Sequence, residues 1–270
     1  LQQYNIPVLS DLPGVGQNLM DQILFPVIHA VNVPTAAEFI TEPQNAQKTV
    51  EEYLDFGTGA LSSMNGFIAF EKIPKSLRTN FTAGALADLA KLPADWPEVE
   101  YVSNSAVEGG TGLGVMLACL SAPVSRGNVT INSADPNAPP VINLGWLSDP
   151  NSTDAQVAIA AFKRLRQAWA AITAVTLGPE LVPGPAVATD AQILAYIRGA
   201  VSTIYHAAAT NAMGTNPSAG AVVDSHARVF GVKGLRVVDN SASPFAVPGH
   251  PQSTVYALAE KIAALIQAGG

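Results

Sequence analysis

The chain has 270 residues, of which 48% are hydrophobic, with 14 Lys and Arg against 21 Asp and Glu for a formal net charge of −7. Such a chain buries a large core, as one big domain or two intertwined ones, and its longest nearly uncharged stretches fall short of the roughly 20 apolar residues that a membrane helix needs. The acidic balance argues against a nucleic-acid or anionic-membrane surface, since both need clustered cations to offset phosphate charge.

In chain order, residues 1–8, Leu-Gln-Gln-Tyr-Asn-Ile-Pro-Val, have neither an initiator Met nor a basic leader region and read as a start in mid-protein. Residues 10–22, Ser-Asp-Leu-Pro-Gly-Val-Gly-Gln-Asn-Leu-Met-Asp-Gln, crowd two glycines and a proline together and predict a tight extended turn. A β-branched and apolar run at 23–33 predicts a strand, 45–56 and 83–92 have helical spacing, and further strands are expected at 99–103, 112–120 and 129–132. Asp135-Pro136-Asn137-Ala138-Pro139-Pro140 is a turn cluster, followed by an extended Val141-Ile142-Asn143. A long helix begins near 149–154, with Ser152 or Thr153 as its N-cap, and runs toward Ala171. Glycine and proline mark 178–185 as the clearest loop, Thr189 caps a helix to about Ala200, and a last helix over 253–267 is ended by Gly269 and Gly270. The pattern is α+β or α/β with a substantial antiparallel component.

Cys119 is the only cysteine and sits in an apolar run, so it reads as a buried hydrophobe, and no disulfide or thiolate metal cluster is expected. Glycosylation sequons at Asn80, Asn128 and Asn151 lean toward a secreted protein. No Gly-x-Ser-x-Gly elbow supports a serine hydrolase. No His-Glu-x-x-His or similar spacing supports a metal, and none is expected. Gly14-Val15-Gly16-Gln17-Asn18-Leu19 stops short of the dinucleotide fingerprint, which the chain lacks throughout.

Among the four histidines, His29 lies in an apolar run and reads as a hydrogen-bonded sheet residue, and His226 follows Asp224-Ser225 in a turn and reads as a surface residue. His206 reads as ending a helical stretch and precedes small residues that let a ligand or backbone approach. His250, between Gly249 and Pro251, opens into the last helix, whose N-terminus presents free N–H groups to an anionic oxygen or an electron-rich ring. From the residues alone, a functional pair and a buried, hydrogen-bonded pair stand as equal readings.

Several segments together resemble the C-terminal half of the glucose–methanol–choline (GMC) oxidoreductases, a flavoprotein family that includes aryl-alcohol oxidases and choline dehydrogenases. They are Asp11-Leu12-Pro13-Gly14-Val15-Gly16-Gln17-Asn18-Leu19-Met20-Asp21, Ser125-Arg126-Gly127-Asn128-Val129-Thr130 with Pro139-Pro140-Val141-Ile142, Tyr205-His206 through Met213-Gly214, Leu235 to Asn240, and His250-Pro251-Gln252. Gln22 stands where many members have histidine, and Ala207-Ala208-Ala209 stands where Pro-Val-Gly is usual.

The resemblance implies an incomplete GMC fold: 1–22 belonging to an FAD-binding domain, 23–204 forming a substrate-binding domain, and 205–270 returning to the FAD-binding domain. It implies FAD as cofactor, a small alcohol as substrate, and an obligate N-terminal polypeptide carrying the dinucleotide fingerprint. Hydride passes from the alcohol carbon to the flavin, with His206 as general base and His250 orienting the alcohol, or the reverse. An imidazole suits that task because its ordinary pKa lies near the operating pH. Asp239, Asn240, Pro251 and Gln252 align with residues touching FAD, and Tyr205 with the substrate wall. Two alternatives stay open: lyase chemistry at the same site, as in flavin-containing hydroxynitrile lyases, and a cofactor-free, non-catalytic binding protein.

Overall fold

Strand β1 (Ile23–Val31) is the organising element of this computed structural model, which describes residues 1–62 and 66–269. It is followed by α1 (Ala36–Thr41), α2 (Pro43–Phe56), β2 (Ile68–Glu71), α3 (Ala83–Leu89), β3 (Val99–Glu108) and β4 (Thr111–Leu120). Then come β5 (Asn128–Thr130), β6 (Val141–Asn143), α4 (Thr153–Ala171), β7 (Thr176–Val182), α5 (Asp190–Ala200), β8 (Ser202–Thr203) and α6 (Gln252–Gln267). The main sheet is antiparallel in the order β2-β3-β4-β1-β7, with β8 also paired to β1, and β5 and β6 form a separate ribbon. The fold is α+β with an antiparallel sheet at its centre.

Alternation along the strands separates two faces. Ile23, Phe25, Val27, Val99, Tyr101, Ala118 and Leu120 point to one face and form the core with Val157, Ala158, Ala161, Phe162, Leu165 and Trp169 of α4. Phe70, Glu100 and Cys119 lie in one row on the other face, since Phe70 pairs with Glu100 and Glu100 with Cys119. Cys119 is buried there, and burial, with the Glu100 carboxylate nearby, pushes its thiol up to about 12.

The hairpin β3–β4 runs longer than the expected strands. Gly109 and Gly110 occupy its two-residue turn with φ of 57° and 79°, the left-handed pair that a tight hairpin requires. The expected loop at 178–185 is corrected to a strand for much of its length. Leu177 and Val182 both pair with β1, and 178–181 bulge between them where the register shifts. Glycine and proline are tolerated because β7 is an edge strand, where the missing Pro179 N–H breaks no ladder.

The N-cap of α4 is a second correction. Ser152 occupies that position at φ 53° and its side chain caps nothing. The Asp149 carboxylate instead accepts from the Thr153 and Asp154 main-chain N–H groups and from the Ser125 hydroxyl. Asp149→Ala is therefore expected to cost about 1–2 kcal/mol, the upper part of the range for an N-cap. Urea unfolding measures it, and an unchanged midpoint would remove Asp149 from this role. Thr189 caps α5 as expected, in a capping box with Gln192. At the other terminus α6 ends near Gly269, and Gly270 lies outside the described residues.

His29 is also corrected: its ring lies tilted against Trp169 with centroids 4.6 Å apart, and its buried Nδ1 has no hydrogen-bond partner among the described residues. Burial accordingly lowers its pKa. His226 is half-buried in its turn.

Outside the main core, Met20, Ala208, Ala209 and Ala246 form a small apolar cluster, and Val222, Val223, Val229 and Ala242 form another, against which Leu258 of α6 packs. The segment before β1 is therefore stitched to the segment after β8, with Met20 and Ala208 exchanging main-chain hydrogen bonds of 3.1 and 2.8 Å. Among the described residues, no helix is long and apolar enough to cross a membrane.

Candidate functional site

His206 does not end a helix. α5 stops at Ala200, β8 intervenes, and His206 lies in an irregular turn opened by Tyr205 at φ 65°. Ala209 closes that turn at φ 70°, so three consecutive alanines are held out of the helical conformation they favour. Tertiary pairing does this: Ala208 bonds to Met20, and the Ala209 N–H donates to the Asn240 carbonyl at 3.2 Å.

The same pairing brings the two histidines together. The rings of His206 and His250 stand edge to face with centroids 4.9 Å apart. Each is held from behind by a buried polar group: His206 Nδ1 lies 2.7 Å from Gln22 Oε1, and His250 Nε2 lies 2.8 Å from Glu100 Oε1. Gln22 is 2% and Glu100 1% exposed, whereas the His250 side chain is 49% exposed. The arrangement is a row of four groups, buried at both ends and open in the middle.

Asp21 completes the support of His206. It is buried, and its carboxylate accepts from the Thr203 hydroxyl at 3.1 Å, the Trp146 indole at 3.2 Å and the His206 main-chain N–H. Burial raises its pKa, and those hydrogen bonds oppose the rise.

Burial and, secondarily, the neighbouring His250 lower the His206 pKa from 6.5 to about 4. The near-neutral titration expected for this imidazole is corrected accordingly: the ring is neutral across the ordinary pH range. The unfolded chain takes up this proton first, so His206 contributes stability that is complete above pH 6.5 and is lost as pH falls toward 4. A non-titrating His206→Gln chain should lose less of its urea midpoint between pH 7 and pH 4.5 than the parent. Equal losses would contradict the assignment.

The remaining candidate positions cluster around the pair. Tyr205 is 87% exposed beside His206. Asn240 donates from Nδ2 to the Ala207 carbonyl at 2.8 Å and accepts from the Ser243 hydroxyl at 3.0 Å, while the Asp239 carboxylate accepts from the Ser241 N–H at 2.7 Å. Both side chains are thus engaged within the protein, which leaves their main chain and outer edges for a ligand. Pro251 is the N-cap of α6 and Gln252 its first residue; no side chain caps this end. The N–H groups of Gln252, Ser253 and Thr254 precede the first i→i−4 bond, made by Val255, so the start of α6 is a positive-potential edge next to His250.

Glu100 escaped the sequence reading, and Gln22 was noted there only for standing where many family members have histidine, without a role. Glu100 had a signal, a single acid inside the apolar strand run Val99-Glu100-Tyr101-Val102. For Gln22 the signals were its place at the end of the glycine-rich turn and the histidine usual there in the family. Chemically, the pair offers one neutral imidazole and one carboxylate-anchored imidazole on a common open face, suited to taking a proton from, and hydrogen-bonding to, one small oxygen-bearing ligand.

Residues 123–259 match the family described as GMC oxidoreductase. Patulin synthase from Penicillium expansum is 45% identical over 279 residues, covering 97% of this chain and 44% of that protein. An FAD-dependent oxidoreductase from Chaetomium thermophilum matches with a TM-score of 0.82 at 29% identity, covering 100% of this chain and 51% of the other. A fungal aryl-alcohol oxidase matches with a TM-score of 0.80 at 27% identity, covering 98% and 50%. The chain spans about half the length of the relatives it matches.

Proposed function

The chain belongs to the GMC oxidoreductase family, and on that premise we propose that it forms the catalytic edge and substrate-facing part of an FAD-dependent enzyme that oxidises a primary or aryl alcohol. The observation that carries the proposal is the imidazole pair, 4.9 Å apart and anchored by Gln22 and Glu100 on an open face.

Residues on that face fit the ring end of a flavin. The small, exposed side chain of Ala207 leaves room for a planar ring, and the uncapped start of α6 suits its electron-rich edge. Asp239, Asn240, Pro251 and Gln252 would hold that end. No Gly-x-Gly-x-x-Gly loop is present for the pyrophosphate. We therefore assign that task to an FAD-binding polypeptide segment outside these 270 residues, the obligate partner in this reading. The domain division follows: 23–204 for the substrate, with 1–22 and 205–270 joining the FAD-binding part. The main core and the two small clusters around Met20 and Val223 support it.

FAD, held by those residues and its own binding segment, would supply the hydride acceptor for the alcohol carbon. His206, neutral and half-buried, takes the hydroxyl proton. A pKa of about 4 suffices, because the hydroxyl becomes far more acidic as its carbon turns into a carbonyl. His250, anchored by Glu100, hydrogen-bonds the alcohol oxygen and orients it. Tyr205 borders the substrate.

Secretion is part of the proposal, and the sequons do not support it equally. Asn80 and Asn151 are both exposed, but the Asn80 amide makes only a long bond to Asp190 at 3.4 Å whereas the Asn151 amide donates to the buried Asp88 at 2.8 Å, which leaves Asn80 the freer acceptor. A mobility shift on enzymatic deglycosylation that disappears in Asn80→Gln is the expected result.

The test of the activity is anaerobic. The protein completed by its FAD-binding segment is titrated with a primary aryl alcohol, and the oxidised-flavin absorbance is expected to bleach with stoichiometric aldehyde. A protein that binds flavin and shows no bleaching with any alcohol would overturn the oxidoreductase reading; ketone or aldehyde release from a cyanohydrin without bleaching would select lyase chemistry.

A further inference from the structure

We propose that Gln22 is a positioning residue that locks the His206 imidazole in its Nδ1–H tautomer, leaving Nε2 as the nitrogen that receives the substrate proton. The tautomer assignment stands on the hydrogen-bond network; its catalytic meaning rests on the proposed function.

The network admits one arrangement. Gln22 Nε2 lies 2.8 Å from the Ser121 carbonyl oxygen and 3.0 Å from the Val247 carbonyl oxygen. Carbonyls only accept, so the nitrogen end of the amide must face them, with both of its N–H groups spent. A flipped amide would set its oxygen against two carbonyl oxygens in a site that is 2% exposed, where no solvent relieves the repulsion. Oε1 is therefore the end that meets His206 Nδ1 at 2.7 Å, and Oε1 has no hydrogen to give. Nδ1 must carry the proton. In a neutral imidazole the other nitrogen, Nε2, then holds the lone pair. Free neutral histidine favours the opposite tautomer, so the protein is working against the intrinsic preference of the ring.

The lock is rigid because of what it joins. Gln22 precedes β1, Ser121 follows the last residue of β4, and Val247 lies in the segment leading to α6. One amide thus ties three segments and presents its oxygen to a fourth, the turn carrying His206. The adjacent Asp21 takes the His206 main-chain N–H, so ring and backbone are held from consecutive positions. An amide also has no proton of its own to exchange with the ring. When Nε2 accepts the alcohol proton, the Nδ1–H to Oε1 bond persists, and the amide oxygen faces the resulting cation.

The test reads the ring directly. Protein labelled with 15N-histidine and carrying its flavin is examined by long-range 1H–15N correlation, with the His206 signals identified by their loss in His206→Gln. The expected pattern is a pyrrole-like Nδ1 and a pyridine-like Nε2. In Gln22→Met, which keeps the side-chain length and removes the acceptor, the pattern should shift toward Nε2–H. The rate of alcohol-driven flavin reduction should then fall several-fold, in proportion to the competent tautomer. Gln22→Glu would set its second oxygen against the Ser121 and Val247 carbonyls, so that side chain should stay protonated, donate to one of them and still offer Nδ1 an acceptor oxygen; the parental tautomer pattern is expected to persist.

A parent protein with Nε2–H on His206, or a Gln22→Met protein with the parental pattern, overturns the proposal. If Gln22→Met does not fold, the parental spectrum and Gln22→Glu still decide it. A parent protein with the expected tautomer whose flavin no alcohol reduces refutes the proposed function alone.

Discussion

His206→Ala is expected to slow alcohol-driven flavin reduction by about 10²- to 10⁴-fold, the range for losing a positioned general base, while flavin remains bound. The prediction follows from where the ring sits. It is neutral over the working pH range, its Nδ1 is taken by Gln22, and Nε2 is left to meet a ligand. The loss should fall on the rate of reduction more than on apparent substrate affinity, because a base acts on a proton that moves only as the hydride leaves. The substitution also strands the buried Oε1 of Gln22 without a donor, which costs about 1–3 kcal/mol. Flavin absorbance and the urea midpoint must therefore be measured beside the rate. A His206→Ala protein that retains flavin and turns over at the parental rate would end the base assignment and transfer the question to His250.

The second large effect is an asymmetry between the partners of the other pair. His250→Ala removes the one hydrogen-bond partner that the Glu100 carboxylate has among the described residues; that carboxylate is 1% exposed, and its Oε2 has no partner among them. Leaving a buried polar group without its hydrogen bond costs about 1–3 kcal/mol, and more for a charged one. The cost here should lie in the upper part of that range, because both carboxylate oxygens would then lack a partner in a site that is 1% exposed. Glu100→Gln strands no charge; it leaves His250, already half in solvent, with a neutral acceptor. It should therefore cost little stability, while the rate falls through a less well oriented imidazole. In a double-mutant cycle, His250→Ala in the Glu100→Gln background should cost markedly less stability than in the parent. Equal costs in the two backgrounds would mean that Glu100 and His250 are not coupled. Monitoring the cycle by urea unfolding at pH 7 keeps His206 neutral throughout.

Most elements were legible because their signals are local. The core face of β1 shows as Ile23, Phe25 and Val27 at period two, the capping box of α5 shows in Thr189 and Gln192, and the long helix shows in the spacing from Val157 to Trp169. The errors arise mostly where distant segments override the local signal. The stretch 178–185 is rich in glycine and proline, and only its pairing to β1 at a sheet edge makes part of it a strand. Helical character was read up to His206, but Ala209 sits at φ 70° because Asn240 and Met20 claim that backbone. Ser152 is a cap by composition, and Asp149 does the capping because the chain turns at Ser152 through a left-handed conformation.

The sequence by itself determined the mix of helices and antiparallel strands, the family resemblance and the two histidines, because hydrophobic periods, turn residues and short motifs are written within a few positions of one another. What only the tertiary structure decided is how those histidines are held. Gln22 lies 184 positions from His206, and Glu100 lies 150 positions from His250. No period or motif links residues so far apart. Their meeting depends on the antiparallel register that places Glu100 on the sheet face opposite α4, and on the bridge that draws Met20 to Ala208. Burial then turns an ordinary glutamine and an ordinary glutamate into the groups that orient the site, since out of water a hydrogen bond left unmade is costly enough to fix where each ring points.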